Sequence, residues 1–142
     1  PFNNDLMTLS YTGAEIKAVL EQNFTSAGPE QILTPSSGFT YSYDRSKPVG
    51  QRISDMVLDG KPIEPDQTYR VTISNFLANG GDSYPGFVVG RDRVMGGSDI
   101  AALEAWLQAV PPRIPPVESR TTDLRPDLNQ VKSTAPPGIK YR

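Results

Sequence analysis

The run Asn75-Phe76-Leu77-Ala78-Asn79-Gly80-Gly81-Asp82 carries the residue types best suited to holding a ligand. Its phenylalanine offers a flat face on which a planar group can stack. Its two glycines let the backbone come close to a bound molecule. Its aspartate can accept two hydrogen bonds at once, which is what a sugar diol offers. The same residues have plainer uses: Phe76 can fold back into a core, and Asp82 can close its own turn. Asp55, Asp59, Glu64 and Asp66 form an acidic group. The Asp59-Gly60 turn and the flanking prolines make that group a solvated rim rather than a metal site.

What the chain lacks narrows the chemistry further. It has no histidine and no cysteine. A Ser-His-Asp arrangement is therefore impossible, and thiolate chemistry, disulfides and Cys-type zinc sites are excluded. A metal site would have to be built from carboxylates alone. The net charge is −2, so no basic face for nucleic acid is evident. No apolar run is long enough to span a bilayer. The chain's 142 residues suffice for one domain with a real core. It opens at Pro1-Phe2 without a methionine and reads as a piece of something longer, so a missing leader says nothing about compartment.

The elements that must position these residues follow from periodicity. Residues 5–11 alternate as a strand, with Met7, Leu9 and Tyr11 on one face and Leu6, Thr8 and Ser10 on the other; Phe2 and Asn4 share the second parity. Thr12-Gly13-Ala14-Glu15 is a capping box that opens a helix. Ile16, Val19, Leu20 and Phe24 form its buried stripe, with Lys17 and Glu21 toward solvent. A loop over 26–38 leads to a strand with an aromatic face, Phe39, Tyr41 and Tyr43. Arg45, Lys47 and Arg52 lie near one turn and read as surface charges. Arg52–Leu58 is a strand closed by Asp59-Gly60, and Pro62 and Pro65 keep the following residues irregular. A strand over Tyr69–Asn75 puts Tyr69, Val71 and Ile73 on the apolar face and leaves Phe76 in phase with the polar one. Residues 83–97 read as irregular. Ser98 caps a helix that carries Ile100, Leu103, Trp106, Leu107 and Val110 inward, with Asp99 placed for the helix dipole, and the helix ends at Pro111. Half of the 14 prolines lie beyond residue 110, so an extended strap or partial disorder is expected there. Asn23-Phe24-Thr25 is a formal glycosylation sequon. The order of elements predicts an α+β class: a mixed β-sheet with packed helices over residues 1–110, followed by a Pro-rich extended tail over 111–142.

Several of these segments together resemble one family, the C-terminal domain of the 5′-nucleotidases and bacterial UDP-sugar hydrolases. They are Pro1-Phe2-Asn3-Asn4, Thr12-Gly13-Ala14-Glu15, Tyr43-Asp44, Asp59-Gly60-Lys61-Pro62-Ile63, Asp66-Gln67-Thr68-Tyr69 and the run from Asn75 to Tyr84. The resemblance covers roughly residues 1–110. It implies that this domain holds the nucleoside part of a substrate. Phe2 and Phe76 would sandwich the base, Asp82 would bind ribose hydroxyls, and Asn4 would make a polar contact. Purines should stack better than pyrimidines because their face is larger. The chain departs from the family at Asn3, where members often carry glycine.

The resemblance also implies what lies elsewhere. In the family, phosphate-ester cleavage occurs on two divalent metal ions in an N-terminal metallophosphatase domain built from His, Asp and Asn. This chain has no catalytic or metal-ligating set of its own, so it should be inactive alone and should need the missing N-terminal part of the same protein. The expected ligand is a purine nucleoside or nucleotide, and family habit favours a periplasmic, secreted or cell-surface location. Two other readings remain: a non-catalytic nucleoside-binding or adhesion module, and a sibling enzyme such as a 2′,3′-cyclic-nucleotide phosphodiesterase/3′-nucleotidase or a thiosulfohydrolase.

Overall fold

A computed structural model describes residues 2–25, 31–109 and 117–125. Strand β1 (Asp5–Thr12) lies at the centre of a three-stranded antiparallel sheet, between β5 (Thr68–Ser74) and β6 (Arg91–Ser98). A second sheet runs β4 (Lys61–Pro62), β3 (Ile53–Leu58), β2 (Phe39–Tyr43) and β7 (Thr121–Asp123). Its β2–β7 pair is parallel and its other pairs antiparallel, so this sheet is mixed. Helix α1 (Gly13–Glu21) continues into a 3₁₀ turn, Gln22–Phe24. It feeds two cores. Val19 joins Leu9, Tyr11, Ala78, Tyr84 and Phe87, while Leu20 joins Tyr41, Tyr43 and Ile53; Ile16 and Leu33 pack against both. The α+β class read from the sequence is the class observed.

The capping box forms as its residues predict: Glu15 N–H donates to Thr12 Oγ1 at 3.2 Å, and Thr12 N–H donates to Glu15 Oε2 at 2.7 Å. Arg91 adds a bidentate pair to the same carboxylate, both bonds 2.8 Å. These bonds, Arg91's first, hold the Glu15 pKa down to about 2. A carboxylate whose pKa falls on folding stabilises the fold fully above its ordinary value and loses that contribution as pH drops through the folded value. Acid titration should therefore show stability declining between about pH 4.5 and 2, and Glu15→Gln should lessen the slope. Superimposable curves for the two proteins would remove this carboxylate from the account.

The structure corrects the sequence reading at several points. Residues 91–98 are a strand, not irregular. Their pairing with β1 shifts register twice, and Asp92 is left-handed at φ 49°, so no clean alternation marks the strand. Lys61–Pro62 is a short edge strand, which tolerates a proline because one side needs no donor. The two-residue turn before it has Asp59 and Gly60 both at positive φ, as a tight hairpin requires. Helix α3 spans Asp99–Gln108, capped by Ser98. It buries none of its residues: Leu103, Trp106 and Leu107 are each over 40% exposed. The helix lies against β6, itself largely exposed, so no second layer of the described residues closes over its apolar side. Val110 and Pro111 fall outside the described residues.

Four charged or polar side chains have more specific roles than solvent contact. Glu21, expected beside Lys17 on the wet face, is buried. Its carboxylate accepts from Gly50 N–H at 2.9 Å and Ile53 N–H at 2.8 Å. Arg45 lies over the Tyr43 ring and pairs with Asp123 at 3.0 Å, and Arg52 lies over Phe24. Asn23, the sequon asparagine, is 1% exposed and hydrogen-bonded inside the protein, so it is closed to glycosylation in the folded state.

Candidate functional site

The β1–β5 register decides where the predicted site residues emerge. Leu6 pairs with Ser74, so the chain leading into β1 and the chain leaving β5 share one end of the sheet. Phe2 and Asn4 come from the first, and Phe76 and Asp82 from the second. On the other side of β1, Asp5 pairs with Ser98, which brings the start of α3 to the same end. Asp99 N–H donates to the Asn4 carbonyl at 2.9 Å, and Asp99 Oδ2 accepts from Phe2 N–H at 3.4 Å. Asn3 between them is left-handed, φ 58°. Asparagine is among the side chains that enter this region most readily, so the residue standing where family members often carry glycine adopts a conformation that glycine also favours.

Phe76 reaches its place by a route that strand parity does not describe. Ser74 ends the strand by accepting from Leu77 N–H at 3.2 Å, and Asn75–Ala78 form one helical turn, α2. The ring then leans on Gly81: a Cβ built there would lie 2.6 Å from its Cε1 and Cζ. Only a residue without a side chain permits that approach. Phe76 remains 50% exposed and Phe2 is 93% exposed, so neither ring is sealed in the interior.

Asp82 sits in a loop with unusual backbone. Gly80, Asp82 and Ser83 have φ of 84°, 51° and 65°. Several contacts hold this loop. Arg93 of β6 donates to the Ala78 carbonyl at 3.1 Å, the Val88 carbonyl at 3.3 Å and Asn79 Oδ1 at 3.4 Å. Behind the loop, Tyr84 is buried, and its hydroxyl pKa is pushed up to about 12 by that burial and then by the Asp82 carboxylate. A mostly apolar cleft of about 400 Å³, lined by Val19, Leu33, Phe39, Tyr69, Val71 and Ile73 among others, lies elsewhere; none of Phe2, Asn4, Phe76 and Asp82 borders it.

Two residues at the shared end carry a signal that sequence reasoning missed. Asn75 Oδ1 and Asp99 Oδ1 are buried without a hydrogen-bond partner among the described residues. Asn75 opens the run singled out above, and Asp99 reads in the sequence only as a helix-dipole carboxylate. Spacing alone could not bring them to the same end of the sheet across β1.

Segments that carry exposed rings, amides and carboxylates thus meet at one end of this sheet. The chain contains no histidine, and no group of three metal-ligating side chains occurs among the described residues. No helix among them is long and apolar enough to cross a membrane.

Comparison with known proteins agrees with this fold. The model of the family described as 5′-nucleotidase, C-terminal domain, matches residues 1–88. The 5′-nucleotidase precursor of Thermus thermophilus has a similar structure, with a TM-score of 0.75 at 32% identity; the similarity covers 87% of this chain and 26% of that one. Endonuclease YhcR of Bacillus subtilis is 30% identical over 112 residues, 77% of this chain but 9% of its own length. Snake venom 5′-nucleotidase of Macrovipera lebetinus is 29% identical over 143 residues, 93% of this chain and 35% of the venom protein. The chain thus spans about a third or less of these relatives. With its first 88 residues matched, the chain belongs to the 5′-nucleotidase C-terminal domain family.

Proposed function

We propose that this chain is the nucleoside-holding part of a metal-dependent 5′-nucleotidase, a protein that hydrolyses nucleoside 5′-phosphates or UDP-sugars to nucleoside and phosphate. Phe2 and Phe76 stack on the two faces of the base, preferring a purine. Asp82 accepts from the ribose hydroxyls, and Asn4 adds a polar contact. Cleavage takes place on two divalent metal ions in an N-terminal domain outside these residues, which themselves offer no ligand set for such ions. The chain by itself is inactive, and the protein works outside the cytoplasm, a placement supported by the venom enzyme among its relatives.

One observation carries this reading: two exposed phenylalanines and the Asp82 loop belong to segments that leave the same end of the β1–β5 pair. A large apolar ring left half or fully in water is what a stacking platform requires. The reading is tested by binding adenosine and 2′,3′-dideoxyadenosine to the wild type and to Asp82→Asn. Hydrogen bonds to a charged acceptor are worth about 1.5–3 kcal/mol, so adenosine affinity should fall about tenfold or more. The dideoxy compound should be nearly unaffected. Equal losses for both ligands would sink the ribose role. Hydrolysis of AMP by the full-length protein but not by this chain is the matching expectation for the enzyme as a whole.

A further inference from the structure

A buried polar relay sits directly behind the Asp82 loop. Tyr84, 2% exposed, points its hydroxyl away from the loop into the protein. That hydroxyl lies 2.6 Å from the Gln31 carbonyl and 2.8 Å from Asn23 Oδ1, and its single proton is shared between these two acceptors. Asn23 lies in the 3₁₀ turn after α1, 61 positions away in sequence. Leu33 N–H donates to Asn23 Oδ1 at 3.2 Å, which fixes which side of the amide carries the oxygen. Asn23 Nδ2 then donates to Tyr41 Oη at 3.2 Å, and Tyr41 donates to the Leu33 carbonyl at 2.5 Å. The relay therefore joins the 80–84 loop to the 3₁₀ turn, the 31–33 segment and strand β2. Gln22, the neighbour of Asn23, holds the far side of the loop: its Oε1 accepts from Gly86 N–H at 3.1 Å.

These tethers matter because the loop's backbone is costly. Non-glycine residues in the left-handed region persist only where surrounding structure over-determines them. Asp82 and Ser83 are two in succession, and Tyr84 follows immediately. Hydrogen bonds within the loop are short-range turns, such as Tyr84 N–H to the Gly81 carbonyl at 3.0 Å, and do not fix it relative to the rest of the fold. Tyr84 and Gly86 do.

We infer that Tyr84, anchored by Asn23 and seconded by Gln22, is a positioning residue that fixes the Asp82 carboxylate for ligand hydroxyls. The inference rests on the ribose role proposed above for Asp82. Tyr84 touches no ligand in this scheme. Its contribution is to hold a left-handed aspartate in one place, so that its acceptor directions are set before a ligand arrives.

The experiment compares adenosine with 2′,3′-dideoxyadenosine, using the intact protein that carries this chain. The quantity read is the ratio of the two affinities in wild type, Tyr84→Phe, Gln22→Ala and Asp82→Asn. Tyr84→Phe removes only the hydroxyl. It should shrink the wild-type preference for adenosine about tenfold, with the affinity for the dideoxy compound changing by less than about twofold. A structural role alone would lower both affinities together, or lower the melting temperature with the ratio intact; either result overturns the inference. Should Tyr84→Phe fail to fold, Gln22→Ala provides the reading. It frees the Gly86 end without leaving a buried hydroxyl partner, and it should shrink the ratio too; an unchanged ratio there overturns the inference. Asp82→Asn separates the two levels. If that substitution leaves the ratio untouched, the ribose role itself fails and the positioning role with it. If it collapses the ratio while Tyr84→Phe and Gln22→Ala do not, the ribose role stands and only the positioning role is lost.

Discussion

Glu21→Ala should lower the unfolding free energy of this protein by about 3 kcal/mol. The residue ends α1, where a carboxylate meets the negative end of the helix dipole and gains nothing from it. Its burial must be offset by something, and the two backbone N–H groups it accepts from, Gly50 and Ile53, are that something. Ile53 is 1% exposed and opens β3, so its N–H has no route to water once the carboxylate is gone. Bonds to a charged acceptor are worth about 1.5–3 kcal/mol each, and a buried donor left unpaired costs about 1–3 kcal/mol. Against a typical domain stability of about 5–15 kcal/mol, that is a large share. Lys17→Ala, on the exposed side of the same helix, should stay within about 0.5 kcal/mol of wild type. Chemical denaturation compares the two variants at matched m-values. Equal midpoints would mean that the turn over residues 44–52 holds itself.

The contrast between Glu21 and Lys17 shows where the sequence was legible and where it was not. Helical spacing correctly sorted Val19 and Leu20 into the core, because apolar side chains have one place to go. A carboxylate has two, water or a set of donors, and the donors here come from a turn about thirty residues away. Strand β1 was readable for the same reason as α1: Leu9 and Tyr11 alternate with Thr8 and Ser10. Strand β6 was not, since its pairing is twice displaced and its side chains are exposed. The apolar side of α3 reads inward by a rule that holds only when a second layer exists to receive it.

The candidate site was legible in its residue types but not in its construction. In the sequence, Phe76 stands out because it continues the polar parity of β5. In the structure that parity ends at Ser74, and a helical turn carries the ring to Gly81 instead. The ring is half exposed for a different geometric reason than alternation supplies. Asn23 is visible in the sequence only as a sequon, and Tyr84 only as the end of a motif. Their bond across 61 positions follows from two cores meeting at α1, which no local pattern records.

Phe76→Ala should weaken adenosine binding by about 1–3 kcal/mol, roughly five- to 150-fold, the range measured for removing one base–aromatic stack. The ring's position makes this a clean measurement. Half of its surface is already in water, so truncation exposes little and the melting temperature should move little. Phe2→Ala is cleaner still, because a ring 93% exposed contributes almost nothing to folding. Phe76→Trp should retain affinity, since a larger flat face preserves stacking. Gly81→Ala tests the same ring from beneath. A Cβ placed 2.6 Å from Cε1 and Cζ must push the ring away, so affinity should fall although no stacking atom has been removed. Loss in Gly81→Ala alongside Phe76→Ala, with melting temperatures near wild type, would locate the effect in the ring's placement. Adenosine affinity unchanged by both Phe76→Ala and Phe2→Ala would mean that these rings serve something other than a base.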